Sequence, residues 1–598
     1  MVLIAATAAA PAAAEPQVPP GAGTDGLSAE VTLVTGDKVT VNGDAVHVQR
    51  APGRENLRFR TYRDVHGHLH VVPLDVQPRL NSGELDERLF DVSLLAGAAP
   101  DQPRGVRQQV AESYDLKLTF LDHDGRPAPN YHFRFVDNAR QEEHSGYDPS
   151  GTVTVRLPKG TFYFEANIDT PGATPTTRGR LTSAAEPAFA VTSDTELVID
   201  ARQATQPAIS VDRQEAAEVV SEAGLSSITD WGGEVGARFL IDTFDGFYVR
   251  PSTTSRPQFS WYAQTVLARP DGTGRFSGSP YQYHARVVEH GGVPANVRRT
   301  LPDNEFAVID TVTHARVPGS QVNRNYGASG PAPFKLREYY TPDVEWWPST
   351  GESTAAGNGY QTDASARVYR RGQTGVEHLN TAVFGPAFPF GPANYRPAGR
   401  RGDLLRLQVP MFSDSSGLRM GDSPHTGRTT LSRDGELLGE AASAGGYLST
   451  EAPAASTRFQ LHAEGARDSV TARVIADWTF TSEHVPGDEL ELVPLLAVRF
   501  APELDEHNRG RAGRALTFPI TVQRNGTAGN VTDVRAPAVQ VSYDEGATWH
   551  GVKPLRIGTR WLVTLWHPAN AKSVSLKANT GDETGEVEQT IIRAYYLK

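Results

Sequence analysis

Three histidines, His66, His68 and His70, alternate along the run His-Gly-His-Leu-His. On an extended strand all three would face one side, and neutral imidazole is a good ligand for zinc or copper. Three in-line positions make a poor tetrahedron without a fourth ligand, so a plain strand is the preferred reading. A second pattern, Ser-Tyr-Asp-Glu-Gly-Ala-Thr-Trp, is an Asp-box built on Ser542, Asp544, Gly546, Thr548 and Trp549. Its chemistry is that of a hairpin, in which Asp544 accepts backbone N–H groups, Gly546 supplies a positive φ and Trp549 packs beneath. One copy, with no arginine triad beside it, reads as structural. Trp346 and Trp347 offer flat apolar faces on which a sugar ring could stack, although aromatics of a sandwich more often divide between core and groove edge. Two acidic turns, Asp122-His123-Asp124 and residues 580–588, could hold Ca²⁺ through carboxylates and carbonyls, with plain solvated turns as the simpler reading. No other cofactor is expected.

Nucleophilic chemistry finds little support. There is no Cys in the chain, and neither a G-x-S-x-G elbow nor an H-E-x-x-H helix occurs. Seventy acidic against 58 basic residues give a net charge of −12. Together with the absence of basic clusters interleaved with aromatics, that excludes a nucleic-acid groove. No apolar run approaches the ~18 residues of a membrane span. The opening Met-Val-Leu-Ile-Ala-Ala-Thr-Ala-Ala-Ala reads as the remnant of a signal peptide, ending at small residues Ala12 to Ala14, so the protein is expected to be secreted.

The elements around these residues are short alternating runs punctuated by Gly and Pro, 56 and 42 in number, which favours strands and turns. The chain is expected to be mainly β, with several sandwich modules after a small N-terminal α+β domain. Residues 1–28 are the leader and a Pro/Gly linker. Residues 29–95 form the α+β unit, with hairpin turns at Thr35–Lys38 and Asn42–Asp44 and a helical run through Leu80, Leu85, Leu89 and Val92. Residues 96–113 are a tether. Residues 114–203 form a small transthyretin-like sandwich, 204–400 a large sandwich, 401–533 another, and 534–598 an immunoglobulin-like domain. Ala216, Val219, Val220 and Ala223 lie on one face of a helix expected near the start of the large sandwich.

Thr-Leu-Val-Thr-Gly-Asp-Lys-Val-Thr-Val from Thr32, His-Leu-His-Val-Val-Pro-Leu-Asp-Val from His68 and Gly-Glu-Leu-Asp-Glu-Arg-Leu-Phe-Asp-Val-Ser-Leu-Leu from Gly83 carry a resemblance. They resemble the propeptide of large secreted actinobacterial subtilisin-like (S8) serine peptidases. Residues 402–598, ending Val-Glu-Gln-Thr-Ile-Ile-Arg-Ala-Tyr-Tyr-Leu, resemble the region after the catalytic domain of the same peptidases. The resemblance implies an Asp, His, Ser catalytic order in D-T/S-G, H-G-T-H and G-T-S-M-A motifs, and none of these occurs. The nearest echoes, His290, Asp310 and Ser329, come in the wrong order. The catalytic domain is missing from where the tether stands. The expected function is therefore a secreted, non-catalytic binding or accessory protein, or a propeptide-type regulator of a homologous extracellular serine peptidase. The alternatives are a divergent serine peptidase or hydrolase with a site in residues 205–430, around His284, His290 and the two tryptophans, and a cell-wall or carbohydrate binder.

Overall fold

The computed structural model describes residues 28–42, 45–54, 57–96, 112–172, 178–325, 327–391, 398–487 and 490–598. The leader, most of the tether and the Gly43-Asp44 turn fall outside them. The protein is mainly β and its strands gather into several stacked sheets. No helix among the described residues is long and apolar enough to cross a membrane.

Residues 113–200 fold as the small sandwich. A three-stranded sheet, Thr195–Asp200, Ser113–Leu121 and Thr152–Pro158, faces a five-stranded one whose centre is the pair Gly160–Thr170 and Arg180–Val191. Phe120, Phe133, Phe135, Phe162 and Phe164 fill the space between them. The edge strand Phe247–Arg250 is borrowed from further along the chain and lies parallel to Arg180–Val191.

The next unit is organised by a nine-stranded sheet. Its order is Thr374–Leu379, Ala307–Thr313, Phe334–Tyr340, Tyr281–Gly291, Arg256–Ala268, Ala217–Ile228, Glu234–Ile241, Phe59–Arg63 and Leu69–Pro73. Two expectations are corrected here. The helix expected through Ala216–Ala223 is a strand, paired over its length with Arg256–Ala268 and Glu234–Ile241. Ser221, Ala223, Leu225 and Ser227 point inward at a period of two, and partners on both sides outweigh the local helical spacing. Gly224 belongs to this packing, because a Cβ there would lie 2.1 Å from the Tyr262 ring. The expected boundary at residue 95 also fails to isolate a domain. The strands Ser28–Thr32, Lys38–Asn42 and Ala45–Gln49 make their own small sheet, but the 59–73 hairpin completes the large one. Its residues share a core with Phe239, Phe259 and Trp261.

The helical run through Leu80 to Val92 breaks into two short helices, Gln77–Asn81 and Val92–Leu95, with a 3₁₀ turn Glu87–Phe90 between them. Gly83 in the left-handed region and caps at Asp86 and Asp91, which accept from the N–H groups of Arg88 and Leu94, explain the break. Downstream, the separate sandwiches expected at 401–533 and 534–598 share a second nine-stranded sheet. There Arg473–Ser482 pairs directly with Gly585–Leu597. One core, from Phe384 to Tyr595, runs through both.

The sheets of the middle region are joined by buried arginines. Arg324 lies on a five-stranded sheet, and Glu338 on the first nine-stranded one. The Nε of Arg324 donates to Glu338 Oε2 at 2.8 Å, and its Nη1 donates to the Ser349 carbonyl at 2.8 Å. His284 Nε2 and the Tyr340 hydroxyl donate to Glu338 Oε1 at 2.9 and 3.0 Å. Burial by itself would raise the Glu338 carboxyl. The Arg324 charge and the His284 hydrogen bond outweigh it and hold the group down at about 2. With an ordinary value of 4.5 in the unfolded chain, this group's stabilisation is complete above pH 4.5 and is lost as pH falls toward 2. The amount at stake is on the order of 3 kcal/mol. Urea unfolding at pH 5 and pH 3 should therefore show a steep loss in the native protein and a shallower one in Glu338→Gln, whose stability at pH 5 is already reduced.

Candidate functional site

Asn508 stands where the middle region meets the C-terminal unit. It takes φ +56°, a left-handed conformation that Asn tolerates better than most residues, and it is fully buried. Its Nδ2 donates to the carbonyls of Ala315 and Asn380 at 3.1 and 3.0 Å, and its Oδ1 accepts from Ala382 N at 2.8 Å. Ala315 N donates to the Glu506 carbonyl at 2.9 Å, which closes the junction. Asp505 Oδ1 accepts from the N–H groups of His507 and Arg509 at 3.0 and 2.9 Å, shaping the loop so that both side chains reach the surface.

This junction walls a cleft of about 330 Å³ lined by Ala315, Arg316, Pro318, His507, Arg509, Lys572, Tyr596 and Leu597. Four of the eight carry basic groups. Arg316 is buried and neutralised by Glu352 at 2.9 Å. His507, Arg509 and Lys572 are exposed and make no ion pair among the described residues. The acids of the same loop are already engaged, Glu506 by Lys335 at 2.7 Å and Asp505 by Lys598 at 2.6 Å. The result is a cationic recess on a protein of net charge −12. The geometry suits binding of an anion, since a recess focuses the positive field of the basic side chains that line it. The sequence did carry a signal for it: His507-Asn508-Arg509-Gly510-Arg511-Ala512-Gly513-Arg514 is a basic run in an acidic chain. Lys572 and Arg316 join it only through folding.

The residues singled out from sequence lie elsewhere. His66 sits in the turn of the 59–73 hairpin and His68 precedes its second strand, so the three histidines do not share a strand face. Asp64 Oδ1 accepts from the N–H groups of both, His68 Nδ1 meets Asp91 Oδ2 at 2.5 Å, and His70 stacks on Tyr62 at 4.8 Å. Among the described residues no group of three or more His, Asp or Glu side chains is placed to hold a metal. In the acidic turns, Asp122 Oδ1 is taken by the N–H groups of Asp124 and Arg126, while Asp582 accepts from Thr584 and Gly585 and pairs with Arg524. Trp346 is a core residue, 5% exposed, with Nε1 donating to the Thr341 carbonyl and its ring against Tyr340, so it offers no stacking surface; Trp347 is half-buried. Burial of the apolar ring outweighed its exposure to a ligand.

In the Asp-box, Asp544 Oδ1 accepts from Thr548 N at 2.9 Å, Ser542 Oγ accepts from Gly546 N at 2.8 Å, and Gly546 has φ +92°. Hydrogen bonds from Thr548 and Ser542 hold the Asp544 carboxyl at about 2. Of the triad echoes, Asp310 is paired with Arg337 at 2.8 Å on the exposed face of the large sheet. His290 lies at the end of Tyr281–Gly291, and Ser329 lies in a strand against Gln321–Arg324.

No family model and no curated protein matches the chain. Among solved structures, it is similar at 10% identity to Escherichia coli α-2-macroglobulin activated by porcine elastase, over 81% of this chain and 53% of that one, with a TM-score of 0.13. The chain thus spans about half the length of that protein. The Bacillus anthracis TIE protein is similar at 9% identity over 68% of this chain and 78% of its own, with a TM-score of 0.09. The Bacteroides ovatus mixed-linkage glucan utilization locus protein SGBP-B, in complex with a mixed-linkage heptasaccharide, is similar at 12% identity over 59% and 91%, with a TM-score of 0.08. Superpositions this poor carry no argument about function.

The cleft depends on the Asn508 clamp. Asn508→Ala removes three buried hydrogen bonds and places a Cβ-only side chain at a strained φ, and should cost about 2–4 kcal/mol in urea unfolding. Asn508→Asp, which sets a buried carboxylate oxygen against the Ala315 and Asn380 carbonyls, should be at least as destabilising as the alanine variant at neutral pH.

Proposed function

We propose that the chain is a secreted, non-catalytic binding protein whose cationic cleft takes an anionic ligand. The ligand class is a carboxylate- or phosphate-bearing extracellular polymer, such as an anionic cell-wall glycan. The observation that carries the reading is the pair of exposed, unpaired cations Arg509 and Lys572, with the imidazole of His507 beside them, around one recess of an otherwise acidic molecule. A recess focuses the field of the cations at its rim, so an anion meets more than one of them at once.

The wider placement rests on the sequence. The Ala-rich opening supports secretion, and the wording of residues 30–95 and 402–598 supports descent from the non-catalytic parts of subtilisin-like peptidases. Action as a trans-acting propeptide has less support, because both strands of the 59–73 hairpin are buried almost throughout and leave no free face for a protease. A hydrolase around His284 has less support too. His284 is 2% exposed and its partner Glu338 is fully enclosed, so neither can meet a substrate.

The test is co-sedimentation with Gram-positive cell walls before and after removal of their anionic polymers. Arg509→Glu combined with Lys572→Glu should weaken binding by roughly tenfold or more, as should raising the salt from 50 to 500 mM. Undiminished binding by the double variant, or equal binding to stripped walls, would remove the cleft from consideration.

A further inference from the structure

Arg60 differs from the other fully buried arginines. Arg134 has Glu165 at 2.7 Å, Arg324 has Glu338, and Arg400 has Asp403 at 2.8 Å together with the carbonyls of Ala452 and Pro453. Arg60 is 1% exposed, yet no carboxylate pairs with it among the described residues. Its Nη1 meets His132 Nδ1, and its guanidinium lies 4.5 Å from the Tyr62 ring centroid. Its Nε and Nη2 are buried and have no hydrogen-bond partner. Burial, with the charges of Arg60 and Arg134 adding to it, pushes the His132 imidazole far down. His132 is therefore neutral and brings no negative charge.

Arg60 and His132 line a small cavity between the 59–73 hairpin and the sandwich. Arg60, Leu74, Gln77, His132, Asn167 and Asp169 are on its wall, and its volume is about 20 Å³, room for one water-sized species. Asn167, 7% exposed, lies opposite His132 in the sheet, and its Nδ2 is a second buried donor with no partner. The unsatisfied atoms are thus all donors: Arg60 Nε and Nη2, and Asn167 Nδ2. A water molecule accepts two hydrogen bonds and brings no charge. A monovalent anion accepts all of them and neutralises a guanidinium that is otherwise buried uncompensated, which is a strongly unfavourable arrangement.

The nearby acids do not fill this role. Glu165 and Glu143 face Arg134, and Glu87 holds the Tyr62 hydroxyl. Asp169 is raised to about 6 by burial, with Arg58 as the charge that opposes the rise, so below that pH it is mostly neutral and above it its carboxylate on the cavity wall competes with a bound anion.

We propose that this cavity is a binding site for one halide-sized monovalent anion, held by Arg60 and Asn167, which pins the N-terminal hairpin onto the sandwich. The site is separate from the cationic cleft and does not depend on what that cleft binds.

Two measurements on the full chain at pH 5.5 test it. Thermal unfolding is followed in sodium chloride, sodium bromide and sodium gluconate at equal ionic strength, gluconate being too large for the cavity. Chloride and bromide should raise the Tm by several degrees in a saturable way, and gluconate should not. Asn167→Leu, which removes a donor without adding charge, should weaken the halide response severalfold, and Arg60→Gln should abolish it. If Arg60→Gln fails to fold, Asn167→Leu decides. Bromide-grown crystals should show an anomalous peak within hydrogen-bond distance of Arg60 Nη2. Equal Tm values in halide and gluconate, a halide response unchanged in Asn167→Leu, or a cavity holding only water would each overturn the proposal.

Discussion

A guanidinium taken out of water must have an acceptor for its N–H groups and a charge to meet its own, and much of this architecture follows from that requirement. The described chain has many sheets and no cysteine to staple them. Apolar side chains fill the space within each sandwich and part of the space between sheets, and buried arginines reach across where polar faces meet. Arg324 joins the five-stranded sheet to Glu338, and Arg419 on the same sheet reaches Asp363, Asp414 and, at 3.5 Å, Glu377 of the large sheet. Within the sandwich, Arg250 on the borrowed strand meets Glu186 of the neighbouring strand at 2.9 Å. Such pairs add less net stability than an apolar contact of equal size, but breaking one leaves a buried charge and costs several kcal/mol. Their contribution is to fix which sheet lies against which and in what register.

The same requirement separates two kinds of basic residue. Arg316, Arg324, Arg400 and Arg419 are enclosed and matched to acids. His507, Arg509 and Lys572 are exposed and unmatched, and the fold gathers them into one recess by clamping the 505–509 loop through Asn508. A recess that presents two free cations at a junction between two regions of an acidic protein has a surface suited to an anionic polymer. Arg60 falls between these kinds, enclosed but unmatched.

Much of the strand content was legible in the chain. Alternation in Val153 to Leu157 and in Phe162 to Phe164, and the hairpin at Ser542 to Trp549, are read from period-two spacing and turn chemistry, both of which act over a few residues. The cationic cleft was half legible, as the basic run 507–514. Lys572 and Arg316 stand far from that run and join it only when the sheets assemble.

The sequence by itself determined that the chain is mainly β, where tight turns such as Thr35–Lys38 and the Asp-box fall and that it carries no thiol, since these depend on residue type and near-neighbour spacing. Tertiary structure alone decided that Ala217–Ile228 is a strand, because two flanking strands outweigh a local helical pattern. It alone decided that the 59–73 hairpin belongs to a sheet built mostly from residues beyond 216, and that segments expected as separate domains share one core. It also settled the fate of Trp346, taken into the core by packing that neighbouring residues in sequence do not encode. Pairs such as Arg316 with Glu352 and Arg250 with Glu186 were settled at the same level, because their partners lie tens of residues away.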